Sequence, residues 1–180
     1  MNLPAFFNKL RFSLFNGKLT DGQVGGISDI LNQWGKSGYT DNRWIAYILA
    51  TAYHETAQTM QPIEEYGKGH GHAYGELDSA TGKAYYGRGH VQLTWLENYV
   101  YWSTRMGRDL VKHPEDALIP EVSTYILIHG MVDGSFTGRK LSRYFNDTVE
   151  EPINARRIIN GLDKAQLIAS YYKKFLDAII

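Results

Sequence analysis

Trp44, Ile48, Ala52 and Glu55 recur at intervals of three and four residues, so a helix through this stretch puts all four along one side. The spacing predicts a helix that starts near Thr40 or Asp41 and leaves Glu55 at or near its C-terminal end. An apolar rail ending in a carboxylate is the strongest constraint on what this chain can become.

Other stretches carry the same period. Leu3, Phe6, Phe7, Leu10 and Leu14 predict a short N-terminal helix, with Pro4 near its start. Thr20 and Gln23 have the spacing of a capping box ahead of the stripe Val24, Ile27, Ile30, Leu31 and Trp34, which Gly35 and Gly38 are expected to end. Thr94 and Glu97 form a second such pair before Leu96, Tyr99, Val100 and Met106. Pro114 and Pro120 suit first-turn positions, the latter before Val122, Tyr125, Ile126 and His129. Asp163 and Gln166 should open a last helix in which Leu167, Tyr171, Phe175 and Ile179 share a face. Between Gly67 and Gly89 the chain is rich in glycine and contains the polar turn DSATGK, which predicts an irregular arm or short hairpin suited to a cleft wall. Helices outnumber strands and no linker interrupts the chain, so residues 1–180 are read as a single mainly α-helical domain of two lobes around a groove.

Composition narrows the function classes. Nineteen basic and nineteen acidic side chains cancel, leaving no polybasic field for nucleic acid. There is no cysteine, so no disulfide or thiol chemistry arises. The longest apolar run, Trp44 to Tyr53, is too short to cross a bilayer. Lys9 and Arg11 interrupt the N-terminal aromatic stretch that would have to serve as a signal-peptide core, so no such peptide is expected. A monomer is the default, without cofactor.

Hydrolysis of a glycosidic bond needs one carboxyl to protonate the leaving oxygen and a second to activate water or attack carbon. HETAQTMQPIEEYGKG offers Glu55, then Glu64 and Glu65. His54 beside Glu55 resembles a metalloprotease helix, but Gln58 stands where the second histidine is required. His70 and His72 lack a third ligand, so no metal site is expected. YYGRGH lacks the order of a phosphate-binding loop.

Four segments in order, AYHETA at 52–57, QPIEEYG at 61–67, YYGRGHVQLTWLENY at 85–99 and ARRIING at 155–161, resemble the catalytic module of glycoside hydrolase family 19, especially its short phage-endolysin and bacterial lysozyme-like branch. The resemblance implies an α+β lysozyme-like fold and inverting hydrolysis of a β-1,4-linked amino-sugar polymer. It assigns Glu55 as general acid and Glu65 as general base, with Glu64 the competing choice, treated as the more solvated neighbour. An inverting pair stands ~6.5–9.5 Å apart. Thr94, where plant-type relatives have serine, is implied to hold the attacking water. Gln92, Asn98 and Asn160 match glycan-binding positions, Tyr85 a glycan contact, and His54 and Arg88 supporting positions. His90 replaces a proline common in those relatives, with consequences for loop rigidity or substrate contact.

The first expectation is therefore a peptidoglycan hydrolase acting on glycan strands. The second is a chitinase acting on chitin oligosaccharides, and the third an inactive glycan-binding protein. An endolysin would remain in the host cytoplasm until released to the wall or periplasm.

Overall fold

The chain opens with α1 (Leu3–Ser13), which Asn2 caps by accepting from the Ala5 amide. Next comes α2 (Asp21–Ser37), where Thr20 and Gln23 form the reciprocal capping box. Gly35 lies inside this helix, and Gly38, in the left-handed region, ends it. Asp41 caps α3 (Asn42–Glu55), and Glu55 is its last residue. The computed structural model describes residues 1–180 throughout.

Every residue from Ile45 to Tyr53 is buried, so α3 is enclosed on all sides rather than exposing a polar flank. Ala46, Ala50 and Ala52 let neighbours approach its backbone. Helices α2, α5 (Pro120–Asp133) and α7 (Ala165–Ile179) surround it, and α1 packs on α7. Pro120 occupies the first turn of α5, as its missing N–H permits.

A turn after α3 leads to strand β1 (Ile63–Glu64), antiparallel to β2 (Arg88–Gly89), with Glu64 opposite Arg88. The arm between them is a series of turns with one 3-10 turn at Ala73–Gly75. It is irregular, and the only regular pairing joins its two ends.

Four expectations, two for each of two helices, need correction. Trp95, not Thr94, precedes α4 (Leu96–Met106), with φ of 70° and no side-chain cap; Tyr99 and Trp102 face inward while Val100 is exposed. Likewise Lys164, not Asp163, precedes α7, and no side chain caps it. The buried face of α7 is Ala165, Ile168, Ala169, Tyr172, Phe175 and Ala178, with Leu167 outside. In both helices aromatic packing set the rotation, and adjacent apolar residues on the boundary of the stripe went to solvent.

The buried residues form two clusters. The larger joins α1, α2, α3, the short α6 (Leu141–Tyr144) and α7. The smaller comprises Tyr85, Leu93, Tyr99, Trp102, Leu110, Ala117, Val122 and Ile126. Helix α5 belongs to both, giving Val122 and Ile126 to one and Leu127, Ile128 and Met131 to the other.

Candidate active site

Glu55 projects from the end of α3 and forms an ion pair with Arg156, whose side chain is 5% exposed against 18% for the glutamate. Arg156 lies in the 3-10 turn Asn154–Ile158 and also donates through Nε to the Asp163 carbonyl at 3.2 Å. A planar guanidinium held at two points fixes a carboxylate in direction as well as place. Burial lowers the pKa of the neighbouring His54 imidazole, with Glu55 pulling the other way and Arg156 reinforcing the fall.

Residues 56–62 return the chain from α3 to β1. Ala57, Gln58 and Met60 all have positive φ, at 49°, 68° and 60°, an expensive conformation for residues with a Cβ. The compensation is local. Thr56 Oγ1 accepts from the Met60 amide at 3.0 Å, and Gln23 Nε2 and Gln61 Nε2 tie the turn and the start of α2 together through the Gln58 and Gly22 carbonyls.

Glu64 is partly exposed, and its carboxylate is held by three partners. Its Oε1 accepts from the Tyr86 hydroxyl at 2.7 Å, Lys68 Nζ stands 3.2 Å from Oε2, and Arg88 Nε lies 3.9 Å from Oε1. The Tyr86 hydrogen bond, then Lys68 and Arg88, outweigh partial burial and hold this carboxyl below its ordinary range. Glu65 faces elsewhere. Its Oε1 accepts from the Tyr74 hydroxyl at 2.9 Å and its Oε2 from the Gly87 amide at 3.0 Å, while its own amide donates to the Gly87 carbonyl. Glu65 thus stitches the arm to the strand.

Arg88 is buried under the Tyr86 ring, its Cζ 3.6 Å from the centroid. It donates through Nη1 to the Ala84 carbonyl and the Tyr99 hydroxyl. Gln92, at φ of 53°, donates to the carbonyls of Ile63 and Gly89 and so clamps both strands.

A cleft of about 140 Å³ gathers Gln92, Thr94 and Asn98 with Trp102, Phe136 and Ile159. Exposed Asn160 adjoins Ile159, its Oδ1 accepting from the Gly161 amide. Asn98 uses Nδ2 on the Thr94 carbonyl at 2.7 Å. Tyr85 is 3% exposed, and its hydroxyl donates to the Val111 carbonyl at 3.0 Å, so it packs the small cluster while its edge lines a cleft under the arm. Trp95 is more exposed, 5.2 Å from Tyr74 and roughly perpendicular to it. Both line that cleft, of about 270 Å³, together with Tyr85.

Arg156, Tyr86 and Tyr74 had no role assigned from the sequence. Arg156 lies 101 residues from its partner, and no local spacing signals such a pair. The tyrosines stood in view within a Gly- and Tyr-rich arm, whose irregular path hid their direction.

No protein-family profile matches the chain. Acidic endochitinase SP2 of Beta vulgaris is 36% identical over 97 residues, covering 49% of this chain and 33% of that protein; the match spans about a third of the curated relative's length. Among solved structures, chitinase C from Streptomyces griseus HUT6037 aligns over 98% of this chain and 75% of its own, at a TM-score of 0.60 and 21% identity. A bacterial family 19 chitinase aligns over 98% and 93%, at 0.56 and 19%.

Proposed function

We propose that this chain, which has the fold of the family 19 chitinases, hydrolyses β-1,4 glycosidic bonds next to N-acetylated sugars, with chitin oligosaccharides as its first substrate. The carrying observation is that one short turn joins the helix end bearing Glu55 to the strand bearing Glu64. Two carboxylates therefore stand on rigid neighbouring elements, each with its own cationic partner. The likeness to chitinases in sequence and fold favours chitin over the peptidoglycan expected first.

In this reading Glu55 is the general acid. As the glycan enters, Glu55 leaves its Arg156 contact, takes up a proton from solvent, and passes that proton to the leaving oxygen as the glycosidic bond breaks. The second carboxylate is Glu64. It is ionised at neutral pH because Tyr86, Lys68 and Arg88 stabilise the charge, whereas both oxygens of Glu65 already hold the arm in place. Glu64 takes a proton from water as it attacks the anomeric carbon, and Thr94 in the adjoining cleft orients that water. The Gln92 carbonyl oxygen and the Asn98 and Asn160 amides offer hydrogen bonds to acetamido groups.

The test is mass analysis of products from N-acetylglucosamine oligomers and from purified peptidoglycan. Cleavage of the oligomers at a rate that Glu55→Gln lowers by roughly 10²–10⁴-fold is expected. Release of muropeptides alone would return the substrate to peptidoglycan. Products from neither polymer would leave a glycan-binding protein.

A further inference from the structure

The turn between Glu55 and Glu64 contains three left-handed residues, and its last, Met60, turns a carbonyl into the protein interior. Two elements remote in sequence close on that oxygen. On one side is the bare Cα of Gly26 in α2, where an added Cβ would lie 1.8 Å from the Met60 oxygen. On the other is His90, directly after β2 and 1% exposed.

His90 Nε2 lies 3.2 Å from the Met60 oxygen, and Nδ1 lies 2.7 Å from Ser123 Oγ. A carbonyl only accepts, so Nε2 carries the proton and Nδ1 accepts from the serine hydroxyl. Ser123 Oγ in turn accepts from the His90 amide at 2.8 Å. Every polar atom in this buried chain is satisfied with the ring neutral. Gly89, at φ of 90°, lets β2 come this close, since a Cβ there would stand 2.9 Å from Ser123 Oγ.

We propose that His90 is a positioning residue for the hydrolysis proposed above: through Met60 and Ser123 it locks the turn that sets Glu55 relative to Glu64, while touching no substrate. The ring is a rigid spacer between α5 and the turn. Without it, the Met60 carbonyl loses its donor and the left-handed turn its interior anchor. The helix end and the strand then keep their own structure but not their mutual placement. Misplacement by about 1 Å is enough to lower turnover on the order of 100-fold, with little effect on binding in subsites far from the bond.

The inference rests on the hydrolase reading, so its test has an arm independent of activity. His90→Phe keeps a ring but removes both hydrogen bonds, and His90→Gln restores a donor near Nε2. Turnover and KM on an N-acetylglucosamine hexamer are measured well below each variant's Tm, alongside amide exchange across residues 59–63 and α3. In His90→Phe the expected result is kcat lower by on the order of 10- to 100-fold per folded molecule, with KM within about 2-fold. Exchange speeds up at 59–63 and not in α3, and His90→Gln recovers both properties. Should His90→Phe fail to fold, Ser123→Ala loosens the same chain from behind and should give a smaller change of the same pattern. The proposal is overturned by wild-type kcat in the folded variants, by activity loss that follows the unfolded fraction, or by faster exchange spread evenly over α3. A wild-type protein that cleaves no oligomer defeats the hydrolase reading and the catalytic half of this one, and exchange at 59–63 then decides whether His90 anchors the turn.

Discussion

At the scale of single residues, burial decides which protonation state the protein accepts. Burial pushes the His90 imidazole down to about 4 from its ordinary 6.5, with the Met60 carbonyl pulling weakly the other way. The groups facing its nitrogens, the Ser123 hydroxyl and the Met60 carbonyl, carry no charge. The unfolded chain takes up this proton below about 6.5 and the folded chain only near 4, so the contribution to stability is complete above 6.5. It is lost as pH falls through about 4, to a total of ~3 kcal/mol. Denaturant midpoints from pH 7 to pH 4 should therefore fall more steeply for the wild type than for His90→Gln, which has no proton to gain. Parallel curves would mean that the ring takes up its proton as readily in the fold as in the unfolded chain. The adjoining glutamates give a second residue-scale prediction. Glu64→Gln should lower turnover roughly 10²–10⁴-fold with partial rescue by azide, while Glu65→Gln should chiefly loosen the arm. Selective rescue of the Glu65 variant would reverse the assignment.

At the scale of elements, α2 carries four glycines, of which Gly26 and Gly35 have opposite needs. Gly26 faces the Met60 carbonyl at a distance that leaves no room for a side chain, and the two nearest obstructing atoms are backbone. Gly35 is exposed and a Cβ there meets nothing within 4 Å. Gly26→Ala should destabilise the protein by about 3 kcal/mol or more through overpacking, whereas Gly35→Ala should stabilise it by ~0.5–1 kcal/mol through helix propensity. Urea midpoints measure both. A neutral Gly26→Ala would show that the turn after α3 can retreat from α2 freely.

For the whole molecule, α5 couples two clusters of unequal size. The small one depends on Trp102, which is 1% exposed and packs near Tyr125. Trp102→Ala should cost about 3–5 kcal/mol, and hydrogen exchange should show where. Amides of α4 and the 107–119 segment should exchange faster while α3, enclosed by the larger cluster, stays protected. Uniform acceleration would mean that α5 transmits the loss and both clusters melt together. The cleft holding Gln92, Thr94 and Asn98 has walls from the small cluster, with Phe136 packed against both clusters, so this variant should also weaken oligosaccharide binding.

Local chemistry settles those features whose signal lies within a few residues: the Thr20 and Gln23 cap, Pro120 at the head of a helix, and Glu55 at the end of another. Each follows from backbone groups that only near neighbours can satisfy. Periodicity also established a mainly helical protein, but it leaves a stripe free to rotate by one residue, and packing chose Tyr172 and Trp102 over Leu167 and Val100. The direction of Glu64 and Glu65, the burial of Tyr85, and the joining of Arg156 to Glu55 depended on partners from distant segments. A side chain's hydrogen-bond partner is determined by where the chain returns in space, and no spacing along the sequence encodes that return, so tertiary structure alone decided how the carboxylates are held.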